Sequence, residues 1–154
     1  MANTYSQINI HCVFAVKGRG SVISNDLRPR LHEFISGIIR AKGCYPLAVG
    51  GWSDHVHVFF ELPTNLSISD VIREAKSVSS KWINEYRLVH GHFAWQEGYG
   101  AFSHSKSQRD QVIGYIMNQE EHHRIKSFKE EFISMLNNSE VEFDARHLFE
   151  FYED

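Results

Sequence analysis

The segment from Gly50 to Leu62, GGWSDHVHVFFEL, constrains the fold more than any other part of the chain. Apolar residues recur at every second position from Val56 to Leu62, which predicts a β-strand whose side chains alternate between two faces. The strand places His55 and His57 together on the opposite face. Two imidazoles held side by side can share a divalent cation if a third ligand comes from another element. A plain strand with two half-exposed histidines fits the same pattern.

Length and composition indicate one folded domain over residues 1–154, with 42% hydrophobic and 13% aromatic residues. No stretch approaches the ~20 apolar residues of a membrane span, and no signal-like segment begins the chain, so we expect a cytoplasmic protein without a membrane partner. Cys12 and Cys44 fit buried, reduced thiols. The net charge of −3 gives no overall electrostatic footprint for nucleic acid, so DNA binding would depend on local patches.

The predicted elements follow the order β-α-β-β-α-β, and two further helices come after them. The six core elements are predicted, in chain order, at 6–16, 26–42, 44–49, 55–62, 67–86 and 101–103. The last two helices are predicted over 105–123 and from a cap at Ser127. This order matches the ferredoxin-like split βαβ arrangement, an α+β fold in which an antiparallel sheet has its helices on one face, here with C-terminal helices added.

The third predicted helix carries a second unusual stretch, QVIGYIMNQEEHHR, from Gln111 to Arg124. At 100° per residue, Tyr115 and Gln119 lie one turn apart on a polar arc. The opposite, apolar arc consists of Val112, Ile113, Ile116 and Met117. The amide oxygen of Gln119 could complete a three-ligand metal site with open positions, and Tyr115 would be in range to attack a bound phosphate. A half-packed surface tyrosine fits the same position. Gly114 suggests close approach of another backbone, or local mobility.

Three segments together resemble the single-tyrosine HUH transposases of the small insertion sequences that move as single-stranded DNA, with the repeat-associated tyrosine transposases as relatives. The segments are HVH at 55–57, YIMNQ at 115–119 and FAWQEGYGAFSHS at 93–105. The similarity runs over nearly the whole chain, as far as the EHHR and SFKEEF segments. It implies the HUH endonuclease fold.

The resemblance also implies a role for each matching residue. His55, His57 and Gln119 would bind a divalent metal ion, magnesium or manganese. Tyr115 would be the nucleophile that forms a 5′-phosphotyrosine and frees a 3′-hydroxyl. The protein would then be a transposase that cuts and rejoins single-stranded DNA at the hairpin ends of an insertion sequence, and it would act as a homodimer.

Other polar residues are weaker candidates for the site. On the histidine strand, Glu61 lies roughly 13 Å beyond His57, too far to share an ion, and alternation places Asp54 on the opposite face. Alternative ligands or phosphate contacts are His104, His122 and His123. Candidate DNA-phosphate contacts, each of which also fits a solvated surface, are Lys76, Lys81, Lys106 and Arg109. Aromatic residues that could stack on bases, but more often belong to a core, are Trp52, Trp95 and Phe102.

Two other functions use parts of the same pattern. A metal-dependent phosphoester hydrolase would use the histidine pair to activate water and would need no tyrosine. A non-catalytic ferredoxin-like module would bind nucleic acid on its sheet and would need neither metal nor tyrosine. The chain has no P-loop motif, so an ATP-driven mechanism is unsupported.

Overall fold

The sheet has four antiparallel strands in the order β2-β3-β1-β4. The computed structural model describes residues 3–18 and 22–152. The strands and first two helices are β1 Asn9–Ala15, α1 Leu27–Lys42, β2 Tyr45–Gly51, β3 His55–Glu61, α2 Ile68–Glu85 and β4 Gly100–His104. Helix α1 connects β1 to β2 and helix α2 connects β3 to β4, and neither pair of strands is adjacent in the sheet, which confirms the predicted split βαβ arrangement.

One face of the sheet carries the larger core, against α1 and α2. Phe14, Val58 and Phe60 point to this face and are fully buried among aliphatic residues of both helices. The side chain of Ser67 accepts a hydrogen bond from the Asp70 amide at 3.1 Å, which begins α2 at the predicted cap. Both cysteines are free and buried, in agreement with the prediction of reduced thiols.

The C-terminal helices cover the other face, which carries the histidines. These helices are α3 Arg109–Met117, α4 Gln119–His123 and α5 Phe128–Asn138. The side chain of Ser127 caps α5 by accepting from the Glu130 amide, as predicted. Val112 and Ile116 of α3 pack on Phe59, while Phe132 of α5 packs in a separate small cluster. The sheet is therefore covered on both faces, and the histidines lie in an interior layer.

The predicted continuous helix over 105–123 is interrupted at Asn118, which is a correction to the sequence interpretation. A 3₁₀ turn at 106–108 precedes α3, and Asn118 has φ −105° and ψ 27° between α3 and α4. Its amide bonds the Tyr115 carbonyl, a tighter i→i−3 pattern. Val112 and Ile116 are buried as predicted, but Met117 is 66% exposed. The break turns Gln119 towards the sheet, away from the arc expected from a regular helix.

Close backbone approach occurs at Gly50 rather than at Gly114. A Cβ atom on Gly114 would meet nothing within 4 Å, so the expectation of close approach there is wrong. A Cβ atom on Gly50 would overlap the backbone oxygen of Ile116. Glycine at position 50 of β2 therefore lets α3 lie directly on the strand. The contact is at Ile116, the residue that follows Tyr115. Among the helices in the described part of the chain, none is long and apolar enough for a membrane crossing.

Candidate metal centre and tyrosine

His55 and His57 lie side by side on β3, with ring centroids 5.0 Å apart. The alternation rule predicts their common face correctly. Both side chains are fully buried instead of half-exposed, because α3, α4 and α5 close over this face. Phe128 of α5 stacks flat on the His55 ring at 3.9 Å, with an interplanar angle of 3°. The rings are therefore held in fixed orientations by packing.

Asp54 orients the His55 ring. Its Oδ1 atom lies 2.7 Å from His55 Nδ1, and this contact leaves His55 Nε2 facing the interior. The expectation that Asp54 points to the opposite face is wrong, because β3 begins at His55 and Asp54 belongs to the preceding turn. A carboxylate that accepts from one ring nitrogen of a histidine is the usual support of a histidine ligand.

Gln119 and His123 bring two more donor atoms to the same point. Gln119 is 2% exposed, and its Oε1 atom lies 3.0 Å from His55 Nε2 and 2.9 Å from His123 Nε2. The Gln119 Nε2 atom donates to Glu131 at 3.1 Å, so Oε1 is the atom turned towards the imidazoles. His123 Nδ1 lies 2.9 Å from the Lys126 carbonyl oxygen, an acceptor only, so Nδ1 carries a proton.

This donor set fits a divalent cation. In their neutral forms, His55 and His123 both place an unprotonated Nε2 atom against the amide oxygen of Gln119. An amide oxygen that lies within 3.0 Å of two unprotonated imidazole nitrogens is repelled by both unless a proton or a metal ion lies between them. Nitrogen and oxygen donors with supported second ring nitrogens suit a magnesium, manganese or zinc-type site.

Glu131 is the central residue of the cluster, and sequence reasoning missed it. It is 2% exposed on α5, and its Oε1 atom lies 3.2 Å from both His55 Nε2 and His57 Nε2. His55, His57 and Glu131 together form a group able to hold a metal ion. One signal was available in the sequence: Glu131 follows Phe128 by three positions and so falls on the buried stripe of its helix.

The negative charge of ionised Glu131 is balanced by positive charge on the neighbouring histidines. Burial alone would raise the pKa of Glu131, but hydrogen bonds from His123, His55 and His57 hold it well below its usual range. Burial alone would lower the pKa of His55, but hydrogen bonds to Asp54 and Glu131 raise it to about 9. Without a bound cation, a proton on His55 therefore supplies positive charge beside the carboxylate.

Tyr115 meets the cluster through its hydroxyl group, which donates to Glu131 Oε2. The tyrosine ring stands edge-on to His57, with centroids 5.7 Å apart. Burial and the negative charge of Glu131 raise the pKa of Tyr115, so the hydroxyl is held protonated. The structure thus brings Tyr115, Gln119 and both histidines of the predicted site together.

His11 of β1 supports His57 from the other side and was not predicted to do so. Its Nε2 atom lies 2.8 Å from His57 Nδ1, and the rings are stacked at 5.0 Å. Burial, and then the neighbouring His57 and His104, lower the pKa of His11 well below its usual value, so His11 is neutral. With the shared proton on His57 Nδ1, a cation that replaces the proton on His57 Nε2 would find the Nε2 lone pair facing the centre.

The alternative histidine ligands differ in their distance from the centre. His123 lies within it, as described above. His122 is partly exposed, and its Nε2 atom lies 3.3 Å from Glu131 Oε2 on the tyrosine side. His104 stands beyond His11, with ring centroids 5.9 Å apart, and no hydrogen bond joins it to the centre among the described residues.

The four predicted DNA-phosphate contacts are spread over the surface. Lys76 is half-buried and donates to the carbonyl groups of Gln96 and Gly98 at 2.9 and 2.6 Å. Arg109 forms an ion pair with Glu61. Lys81, paired loosely with Glu85 at 3.9 Å, and Lys106 are exposed. In the described part of the chain, no hydrogen bond or ion pair links these four to the centre, and their role in DNA binding stays a prediction.

The candidate stacking aromatics are mostly packed inside the protein. Trp95 is buried against Phe14, with ring centroids 4.8 Å apart, and Phe102 is buried in the smaller cluster under α5. Trp52 is half-buried, with the Arg28 guanidinium 4.4 Å from its ring centroid and His123 stacked at 6.3 Å. Trp95 therefore serves as a core residue, and Trp52 helps to hold His123 in place.

Comparisons with known proteins agree with this fold. Comparison with curated proteins gave no significant match. A crystal structure of a candidate transposase from Deinococcus radiodurans R1 is similar at a TM-score of 0.61 and 21% identity, covering 77% of this chain and 95% of that chain. A REP-associated tyrosine transposase bound to a REP hairpin is similar at a TM-score of 0.58 and 16% identity, covering 100% and 96%.

At these identities the two structures show the fold alone, and they confirm the predicted HUH arrangement. The family is shown by sequence. A family model described as "Transposase IS200 like" matches residues 4–119, about three quarters of the chain and all of the predicted motifs from the first strand to Gln119. The chain therefore belongs to the family of IS200-like transposases.

Proposed function

We propose that this transposase cuts and rejoins single-stranded DNA through a 5′-phosphotyrosine on Tyr115, in a reaction that depends on a divalent metal ion. One observation carries the proposal. The Tyr115 hydroxyl donates to Glu131, and the other oxygen of the same carboxylate lies 3.2 Å from His55 and His57. A nucleophile and a metal-binding cluster are thus joined through one side chain, which a hydrolase that activates water would not need.

His55, His57 and Gln119 would hold the metal ion, magnesium or manganese, and Glu131 would add a carboxylate oxygen. When bound, the ion would neutralise charge on the non-bridging oxygens of the scissile phosphate. The three predicted ligands carry no formal charge. Glu131 adds one negative charge to the set, and hard cations such as magnesium and manganese favour carboxylate oxygen.

The chemical step would use Tyr115 and Glu131 together. The Tyr115 oxygen forms a bond to phosphorus as its proton passes to Glu131, which already accepts its hydrogen bond. The bond from phosphorus to the 3′-oxygen of the preceding nucleotide breaks in line, and that oxygen takes up a proton from solvent. The phosphotyrosine retains the energy of the broken bond, so a DNA 3′-hydroxyl can reverse the step without ATP.

Access to the centre would be from the side of Tyr115 and His122. These two side chains are partly exposed, whereas His55, His57, Gln119 and Glu131 are buried. A phosphate that arrives there meets the tyrosine first, and an in-line attack requires that approach.

We propose DNA with hairpin ends, such as those of an insertion sequence, as the substrate. The fold-related REP-associated transposase is bound to a REP hairpin, which supports this substrate class. The basic residues named as phosphate contacts would supply the non-specific part of the affinity.

We also propose that the functional unit is a homodimer. β2 and β4 are the outer strands of the described sheet, and pairing of such edges between two copies would satisfy exposed backbone groups. The test mixes inactive His57→Ala protein with inactive Tyr115→Phe protein and refolds them together. Recovered cleavage means that each site takes residues from both copies, and inert mixed dimers mean that each chain completes its own site. A protein that is monomeric in solution and on DNA would refute the dimer.

The cleavage proposal is tested with single-stranded hairpin DNA and a denaturing gel. Wild-type protein with manganese or magnesium should give a covalent protein–DNA adduct, with the DNA on a peptide that contains Tyr115. Tyr115→Phe should give none, while its fold and DNA affinity stay close to wild type because the ring remains. Tyr45→Phe, at an exposed tyrosine of β2, is the matched control. DNA cut without any adduct would favour the hydrolase.

A further inference from the structure

A cavity of about 340 Å³ lies beside Tyr115, between β4, α3 and α5. Its lining includes Tyr115 and Val112 of α3, Phe102 of β4 and Met135 of α5. His11, which supports the metal ligand His57, is part of the lining. The cavity therefore shares two side chains with the tyrosine and the metal centre, yet none of the metal ligands proposed above lines it.

The lining of this cavity suits a nucleobase better than a phosphate. Among the described residues that line it there is no lysine, arginine, aspartate or glutamate. The rings of Phe102 and Tyr115 and the side chains of Val112 and Met135 give it an apolar part, which favours the flat face of a base. Gln111 and Asn138 also line it, are exposed, and have side-chain amides without a hydrogen-bond partner in residues 3–18 and 22–152. Free amides donate and accept, as base edges require.

The size of the cavity limits what can enter. Small-molecule sites occupy about 300–1,000 Å³, and this cavity lies at the lower end, which is enough for one base. Single-stranded DNA presents unstacked bases that can enter such a pocket one at a time.

The direction of attack decides which base is in reach. In an in-line displacement, the leaving 3′-oxygen and its nucleotide lie on the far side of phosphorus from the tyrosine oxygen. The nucleotide that keeps the phosphate on its 5′-oxygen lies to the side, nearer to the tyrosine ring. A pocket lined by that ring can receive the base of the nucleotide that keeps the phosphate, and not the base of the leaving nucleotide.

We infer that this cavity binds the base of the nucleotide that becomes attached to Tyr115, and that Gln111 and Asn138 select that base. The inference rests on the proposed function, since it assumes that Tyr115 forms the adduct. It assigns to these two residues a choice of cleavage position, separate from binding of any hairpin and separate from the metal centre.

The test reads the attached base directly. Wild-type protein reacts with single-stranded hairpin DNA whose sequence outside the hairpin is fully randomised, the covalent adducts are isolated, and the attached DNA is sequenced from its first base. We expect a strong bias at that base. In the double variant Gln111→Ala, Asn138→Ala the bias should fall roughly tenfold, while the bias at later positions and the thermal stability stay unchanged. Asn137→Ala, the exposed neighbour outside the cavity, should keep the full bias.

A second measurement uses Tyr115→Phe, which keeps the ring but leaves DNA uncut. An oligonucleotide with 2-aminopurine at the first base after the scissile phosphate should lose fluorescence on binding, and one with the probe before that phosphate should not. A first base as random as the pool, or a bias that the double variant retains, overturns the inference but leaves the proposed function intact. Failure of the wild type to form any adduct overturns the proposed function and this inference with it.

Discussion

The two carboxylate oxygens of Glu131 face different chemistry: Oε2 accepts the Tyr115 hydroxyl, and Oε1 faces His55 and His57 at 3.2 Å. The Tyr115 hydroxyl is therefore coupled to the histidine cluster by electrostatics as well as by position. A change of charge at Glu131 should therefore affect both the Tyr115 hydroxyl and the two imidazoles.

Glu131→Gln tests this coupling, because the amide keeps the shape but removes the charge. Adduct formation should fall by roughly 10²-fold or more, the scale of a lost proton acceptor. Because the carboxylate raises the pKa of Tyr115, the variant should titrate this tyrosine at a lower pH, which ultraviolet absorbance difference spectra against Tyr115→Phe would show. Glu130→Gln, at the exposed neighbouring position, is the control. An unchanged tyrosine titration would contradict the coupling.

Removal of metal should stop cleavage and leave the protein folded. The sheet and both hydrophobic layers do not depend on the centre, so a chelator should shift the melting temperature only slightly. Manganese should restore the adduct. His57→Ala should bind manganese more weakly by calorimetry, whereas exposed His90→Ala should bind it like wild type. A melting transition that collapses on chelation would instead identify a structural metal site.

Gly50→Ala should destabilise the protein and impair Tyr115. The added methyl group overlaps the Ile116 backbone, so α3 must move away from β2, at a cost of about 1–3 kcal/mol in the free energy of unfolding. The adduct yield should fall as well, because Tyr115 precedes Ile116. Gly114→Ala, in open space on the same helix, should raise stability by up to ~1 kcal/mol. Equal effects of the two substitutions would refute the packing argument.

His32 of α1 should make the metal-free protein sensitive to mild acid. Burial, and then the neighbouring Arg28, lower the pKa of His32 to about 4, whereas the unfolded chain protonates it near 6.5. The unfolded state therefore takes up the proton first, and stability falls as pH decreases from about 6.5 towards 4. Relative to pH 7, His32 should cost about 2 kcal/mol at pH 5.

Urea unfolding of wild type and His32→Gln at both pH values isolates this contribution. The variant should lose less stability between pH 7 and pH 5, and His90→Gln should behave like wild type. A His32→Gln curve parallel to that of wild type would show that His32 does not titrate in this way.

Local sequence rules predicted the strand faces and the starts of two helices well. Alternation placed the histidines on one face of β3, and Ser67 and Ser127 cap α2 and α5 as expected. These features depend on residues within one or two turns. The assignment of residues 1–154 to a single domain stays a prediction.

The positions of the other residues of the centre depend on features that local rules cannot describe. His123, one of three alternative ligands in the sequence, lies on α4, after the break in the helix at Asn118, and Asp54 contacts His55 from the turn before β3. Glu131 lies on α5, far from the motifs in sequence. Both His123 and Glu131 also follow residue 119, where the family match ends. The part of the chain beyond residue 119 thus adds His123 and Glu131 to a cluster whose other residues lie within the family match.

The burial of His55, His57, Gln119 and Glu131 under α5 bears on the fate of a covalent intermediate. Phe128 lies flat on His55, and the helix that carries it leaves bulk water little room beside the ligands. A phosphotyrosine is chemically open to hydrolysis, which would turn every cut into a permanent break in the genome. In a centre closed in this way, the phosphotyrosine proposed above would be resolved by an acceptor carried in on the DNA itself, and strand joining would prevail over loss to solvent.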